Sequence, residues 1–187
     1  GSIDDQCRHL GKLVNQLLQL AQAEASETGA KHFCPIRLDE LAQKMVEMFL
    51  AVAEEKGIKL QCETSPSLMV IGDVQQLRQV VTNLIDNAIK YAPKELPVTV
   101  DLHEENNRII LQVKDEGKGI SDEEKQKIFT KFYRVGNAAT KAAKGTGLGL
   151  YLSKKIARQH NANISVTDNK PTGAIFTVLL NSSIEKS

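Results

Sequence analysis

The chain has 187 residues, 41% hydrophobic, 25% charged and only 4% aromatic, with a formal net charge of +1. That length suits one domain of ordinary size, or one domain plus a helical appendage, and no apolar run approaches the ~20 residues of a membrane-spanning helix. With 24 Lys plus Arg against 23 Asp plus Glu, nothing electrostatic points to a nucleic-acid partner.

In chain order, Gly1-Ser2 reads as the remnant of an expression tag. Over residues 3–25, Ile3, Cys7, Leu10, Val14, Leu17 and Ala21 recur at alternating spacings of four and three, tracing one seam down a helix. Leu13, Leu18 and Leu20 widen the stripe beyond a two-stranded seam. A helix lying on its own domain fits this pattern, and a dimerising bundle helix fits it better. Residues 26–36 lose the period and read as a linker.

A larger unit then spans 37–183. Leu38, Leu41, Met45, Met48, Phe49 and Val52 predict an amphipathic helix ending near Gly57. Residues 58–62 and 69–71 read as short strands. Asp73 with Gln76 is a capping-box signal opening a long helix from Val74 to about Tyr91, closed by Pro93 and Pro97. Residues 98–102 and 108–114 alternate as a hairpin around Glu105-Asn106-Asn107. Ser121 with Glu124 caps a helix reaching about Phe132, and 135–146 form a loop without periodicity. A helix over 148–160 and strands over 163–167 and 174–180 complete the chain. Hairpin-connected strands with helices in blocks imply an α+β fold with a mixed or antiparallel sheet. Cys7, Cys34 and Cys62 stand far apart and read as small hydrophobes in a reducing compartment, and His9, His32, His103 and His160 lack metal-ligand spacing.

Three clusters could carry chemistry. Asn83 and Asn87 lie four apart on one helix edge with Lys90 a turn further, beside an apolar face of Val80, Val81, Leu84 and Ala88. Two amide oxygens and an ammonium can hold a hydrated Mg²⁺ and phosphates, although a solvated polar stripe has the same pattern. Asp115-Glu116-Gly117-Lys118-Gly119-Ile120 ends a strand. Its carboxylate can accept from an exocyclic amine while the glycines admit a flat ring, yet a plain turn reads alike. Gly145-Thr146-Gly147-Leu148-Gly149-Leu150 opens a helix whose N–H groups suit a polyphosphate. Its glycine spacing and preceding loop do not fit a Rossmann turn, and no P-loop is present.

Together, Asn-x-x-x-Asn-Ala-x-Lys-Tyr at 83–91, Asp-x-Gly-x-Gly at 115–119, Ile-Phe-x-x-Phe-Tyr-Arg at 128–134 and Gly-Thr-Gly-Leu-Gly-Leu at 145–150 resemble the N, G1, F and G2 boxes of bacterial sensor histidine kinases, in order and spacing. The resemblance covers about 37–181, and residues 13–21 extend it as the second helix of the dimerisation and phosphoacceptor hairpin. It implies the two-layer α/β sandwich of the Bergerat type, a mixed sheet packed on helices, with an N-terminal bundle helix. It implies ATP and Mg²⁺ as ligands, with Asn87 on the metal and Asn83 beside it. Asp115 would take the adenine amine, with Gly117, Gly119 and Ile120 around it, and Lys90 and Tyr91 would contact the nucleotide. Residues 135–146 would be the ATP lid, anchored by Phe129 and Phe132, with Arg134 at its base. Gly145, Thr146, Gly147, Leu148, Gly149 and Leu150 would cradle the phosphates.

The resemblance further implies a homodimeric parent, a cytoplasmic domain of an inner-membrane sensor, a histidine-bearing hairpin of the same or sister protomer, and a response regulator receiver domain as partners. The family's acceptor is a His followed by an acidic residue on the first hairpin helix, commonly in a Ser-His-Glu-Leu-Arg-Thr-Pro setting, and no such segment occurs; His9, in Cys-Arg-His-Leu-Gly-Lys, falls on the wrong helix of the hairpin. No catalytic residue is therefore expected within the chain, and the phosphorylated helix is expected before residue 1. Two alternatives stand beside the kinase. A gyrase-type ATPase would carry a glutamate at position 83, where a neutral Asn offers no base. A degenerate dimerisation module would usually have lost Asn87, Asp115 or a glycine of 145–149.

Overall fold

In a computed structural model of the chain, residues 3–25, 32–136 and 145–183 are described. Helix α1 (Ile3–Ala25) is followed by β1 (Cys34–Arg37), α2 (Leu38–Glu55), β2 (Lys59–Thr64), β3 (Met69–Gly72) and α3 (Val74–Tyr91). Then come β4 (Pro97–Glu105), β5 (Arg108–Asp115), α4 (Asp122–Lys127), α5 (Gly149–Gln159), β6 (Asn163–Asp168) and β7 (Ala174–Asn181). The expected tag remnant, residues 26–31 of the expected linker, and 137–144 of the expected lid lie outside the described residues.

A five-stranded sheet runs in the order β2-β4-β5-β7-β6. The β2–β4 pair is parallel and the remaining pairs are antiparallel, so the sheet is mixed. One face is buried. Val98, Val100 and Leu102 of β4, Ile109, Leu111 and Val113 of β5, and Phe176, Val178 and Leu180 of β7 all point into the core. Against them lies the apolar face of α3, with Leu77, Val80, Val81, Leu84, Ile85, Ala88 and Ile89 buried, flanked by α2 and α5. The result is the two-layer sandwich expected, since half-apolar strands and half-apolar helices can each bury only one side. The β4–β5 hairpin turns through Asn106 and Asn107 at φ 51 and 60, the left-handed pair that matches strand twist.

Asp73 caps α3 by accepting from the N–H groups of Gln75 (2.9 Å) and Gln76 (3.0 Å). Only half of the expected capping box forms, because the Gln76 Oε1 is buried without a hydrogen bond. His160 fastens the same corner from behind. Its Nε2 accepts from the Asp73 N–H at 3.0 Å, so Nδ1 carries the proton donated to the Ile156 carbonyl at 2.8 Å. The Phe33 ring stacks on it at 4.6 Å.

Four expectations need correction. The 26–36 linker contains the start of a strand, because β1 pairs antiparallel with β3, Cys34 opposite Gly72 through Arg37 opposite Met69. Of its four residues only Ile36 is buried, so the segment carries no alternation by which to read it as a strand. At the β1–α2 junction the Arg37 Nε and Nη2 donate to Asp39 at 3.0 and 2.7 Å, and Asp39 Oδ2 also accepts from the Ser67 N–H at 3.0 Å. Helix α4 stops at Lys127 instead of near Phe132, since Phe129 turns into the core edge-to-face with Phe176 and Phe132 adopts φ 63. Cys7 and Cys34 are exposed thiols, while Cys62 is half-buried and burial pushes its thiol up. Finally, α1 divides its wide stripe between two surfaces. Leu20 is buried, with Leu13, Gln16 and Gln19 half-buried, where α1 meets α5, and Ile3, Cys7, Leu10, Val14, Leu17 and Ala21 are left exposed on the seam.

Candidate functional site

Asp115 continues the inward series of β5 after Ile109, Leu111 and Val113, which puts a carboxylate at a core position. It is 6% exposed. Burial pushes its pKa up, and the N–H groups of Gly117 and Ala174 pull the other way. Both of those hydrogen bonds, at 2.8 and 3.4 Å, fall on Oδ1. Oδ2 is thus left to accept from a bound donor, the property an exocyclic amine requires.

The wall beside Asp115 is built from close backbone approaches. A Cβ at Gly117 would lie 2.8 Å from Asp115 Oδ1 and 3.1 Å from the Tyr91 carbonyl oxygen, so the end of α3 meets this turn. Gly173 presses closest. At φ +113, its hypothetical Cβ would fall 1.9 Å from the Asp115 carbonyl oxygen. The same carbonyl accepts from Asn169 Nδ2 at 2.8 Å. Asn169, Gly173 and Ala174 were not singled out from the sequence, where 169–173 read only as a connector between strands.

Along α3 the polar edge turns toward 145–149. The Lys90 ammonium lies beside Gly145, where a Cβ would meet Nζ at 2.5 Å. Asn83 Nδ2 donates to the Gly149 carbonyl at 3.0 Å and to Ser153 Oγ at 3.2 Å, while Gln79 Nε2 donates to Asn83 Oδ1 at 2.7 Å. Asn87 is half-buried one turn further on. Gly147, at φ +72, sits where a Cβ would strike the Phe132 backbone at 2.7 Å, and its carbonyl accepts from the Phe132 N–H at 3.0 Å. Thr146 Oγ1 accepts from the Leu148 N–H at 3.3 Å and donates to Gln16 of α1. The start of helix α5 therefore lies beside the polar edge of α3, tied to it through the Gly149 carbonyl, and a helix N-terminus is a favourable place for an anion.

Not every expected residue faces this cleft with its side chain. Leu148 is buried in the core, Ile120 and Leu150 pack against it, and any role they have in the site belongs to their backbone. Tyr91 is 52% exposed at the end of α3. Phe132 is 57% exposed, so Phe129 alone is the buried aromatic of its box, contrary to the expected anchoring pair. Phe132 has φ 63 and its ring lies outward, where Lys131 Nζ is 5.8 Å from the centroid. Arg134 is half-buried just before the segment outside the described residues. Among the described residues no group of three or more His, Cys, Asp or Glu could hold a metal ion, and no helix is long and apolar enough to cross a membrane.

The two glycine-rich turns thus both meet α3, Gly117 at Tyr91, Gly145 at Lys90 and Gly149 at Asn83, on a mixed-sheet sandwich. A family described as histidine kinase-, DNA gyrase B-, and HSP90-like ATPase matches residues 72–184, and the chain belongs to it as the ATP-binding catalytic domain of a sensor histidine kinase. Sensor protein SrrB of Staphylococcus aureus is 33% identical over 177 residues, 94% of this chain and 30% of SrrB. The chain thus spans under a third of the length of that relative. Among solved structures, the mycobacterial sensor histidine kinase MprB aligns at 27% identity and TM-score 0.69, over 80% of this chain and 97% of that one. The catalytic domain of histidine kinase ThkA aligns at 27% identity and TM-score 0.71, over 81% of this chain and 98% of that one.

Proposed function

We propose that this domain binds Mg-ATP and passes its γ-phosphoryl group to a histidine on a helical hairpin, in a dimeric sensor kinase that then phosphorylates the receiver domain of a response regulator. The carrying observation is Asp115, a carboxylate on a core position with both internal hydrogen bonds on Oδ1. Nothing in packing requires an acid there, whereas an adenine amine needs an acceptor at Oδ2. The residues fit the remainder of the ligand. Gly117 and Gly173 let the backbone close tightly around Asp115, the N-terminus of α5 is a favourable place for phosphate, and Lys90 supplies a cation beside Gly145. Asn87 is the residue we assign to the metal, which when bound neutralises charge on the phosphates.

In the transfer, the bond from the γ-phosphorus to the β,γ-bridging oxygen breaks and a bond to an imidazole nitrogen forms. ADP leaves, and the imidazole proton passes to a base. The chain's own residues bind and orient; the work is positioning and charge neutralisation by Lys90 and Arg134. Its histidines do not suit the acceptor role. His160 has both ring nitrogens engaged, His103 Nδ1 is 3.1 Å from Asp101 Oδ1, and neither His9 nor His32 is followed by an acidic residue. Hydrolysis in the gyrase manner is disfavoured, because position 83 holds an amide bonded on both sides, with no site for a proton. A domain that consumes ATP works where ATP is, which places it on the cytoplasmic side of any membrane its parent spans.

Calorimetric titration of ATP and ADP, with and without Mg²⁺, tests the reading. Micromolar-range binding strengthened by Mg²⁺ is expected, with no acid-labile phosphate appearing on the chain itself. Absence of ATP binding, or phosphohistidine formed on this chain alone, overturns it.

A further inference from the structure

We infer that Asn83 is a positioning residue and not a metal ligand, and that Gln79 and Ser153 hold it in that role. The inference rests on the Mg-ATP reading of the site. Asparagine's amide has two N–H donors and one oxygen, and the partners here dictate which atom faces which. A main-chain carbonyl can only accept, so the atom 3.0 Å from the Gly149 oxygen is the amino group. Its second hydrogen goes to Ser153 Oγ at 3.2 Å. The amide oxygen is thereby turned along α3 to Gln79 Nε2, 2.7 Å away, and not toward the α5 start. A metal ligand at this position needs that oxygen aimed into the cleft, and the geometry spends it within the helix.

Ser153 makes the arrangement a built one. Its side chain is on the buried face of α5, at 0% exposure, where an apolar residue would otherwise serve. A hydroxyl is tolerated there because Asn83 reaches across from α3 to meet it. Gln79, Asn83 and Asn87 stand in one row at four-residue spacing, with only the middle one bonded across to α5. This cross-link fixes the first turn of α5, whose N–H groups face the phosphates, against Asn87 one turn along α3. At the far end of α5, His160 fastens the pair again by accepting from the Asp73 N–H. Held at both ends, α5 cannot pivot on α3, so the phosphate-facing amides and the metal-facing Asn87 keep one frame.

The test is a titration of wild type, Asn83→Asp, Ser153→Ala and Asn87→Asp with ATP plus Mg²⁺, ATP plus EDTA, and adenosine, which lacks phosphate. Circular dichroism confirms that each variant is folded. Asn83→Asp removes both donors and sets a carboxylate against the Gly149 carbonyl, so Mg-ATP affinity is expected to fall by about tenfold or more. Ser153→Ala is expected to lower it about threefold. Adenosine affinity stays within about twofold in both, and Asn87→Asp keeps a Mg²⁺-dependent gain, because a carboxylate also serves as an oxygen ligand. Preserved or tightened Mg²⁺-dependent binding in Asn83→Asp would overturn the inference, as would equal weakening of adenosine and Mg-ATP. Wild type that binds no Mg-ATP would instead refute the reading on which it rests.

Discussion

Replacing Asp115 by Asn separates ligand recognition from folding more cleanly than any other change. The side chains are nearly isosteric, and the Asn Oδ1 can keep the N–H bonds from Gly117 and Ala174 at 2.8 and 3.4 Å. The amino group then occupies the place of Oδ2, so a donor faces the adenine amine where an acceptor stood. A hydrogen bond to a charged acceptor contributes about 1.5–3 kcal/mol, so ATP affinity falls roughly 10- to 150-fold on that basis. Stability moves the other way. Burial raises the folded-state pKa of Asp115 above its unfolded value. The stabilisation tied to its protonated form is complete below the unfolded value and is lost as pH rises through the folded one. Asparagine has no charge to bury. The variant therefore melts at or above the wild-type temperature at neutral pH, and the advantage shrinks toward acid, where both side chains are neutral. Calorimetric ATP titration and thermal melts across pH check the two halves. ATP binding within about threefold of wild type, or a lower melting temperature at neutral pH, would refute the reasoning.

Gly173→Ala forces a Cβ to within 1.9 Å of the Asp115 carbonyl oxygen at φ +113, and should cost about 3 kcal/mol or more. For a chain of this size that lowers the melting temperature by about 6–12 °C in scanning calorimetry, and a shift under about 2 °C would count against the close approach. Asp39→Asn removes a buried carboxylate whose pKa Arg37, hydrogen-bonding to it, holds below the usual range. Its stabilisation is complete above the unfolded value and lost as pH falls through the lowered folded one. A loss of about 1–2 kcal/mol at neutral pH, vanishing in acid, should appear in urea unfolding midpoints. The exposed seam of α1 should give weak self-association of wild type in sedimentation velocity. Val14→Asp should abolish it at unchanged melting temperature, and a strictly monomeric wild type at all concentrations would show that the seam is not self-complementary.

The sequence by itself determined the buried faces of the central strands and of α3, and it marked the motifs on which the proposed site rests. The alternation Ile109, Leu111, Val113, Asp115 already marks the acid as a core-facing residue, and the 80, 81, 84, 88 stripe already sets Asn83 and Asn87 on the edge of α3. The Asp73 cap and the left-handed Asn106-Asn107 turn were likewise local, because a turn or a cap is decided within a few residues. Only the tertiary structure decided who covers whom. Strand β1 exists through its pairing with β3, Gly173 matters because β7 begins against the end of β5, and Ala174 bonds an acid 59 residues away. Asn83 reads as a metal ligand until α5 packs beside it and Ser153, 70 residues on, takes up its amino group. Periodicity records that a side chain turns inward or outward. It carries no record of the partner, which is chosen by the packing of segments far apart in the chain.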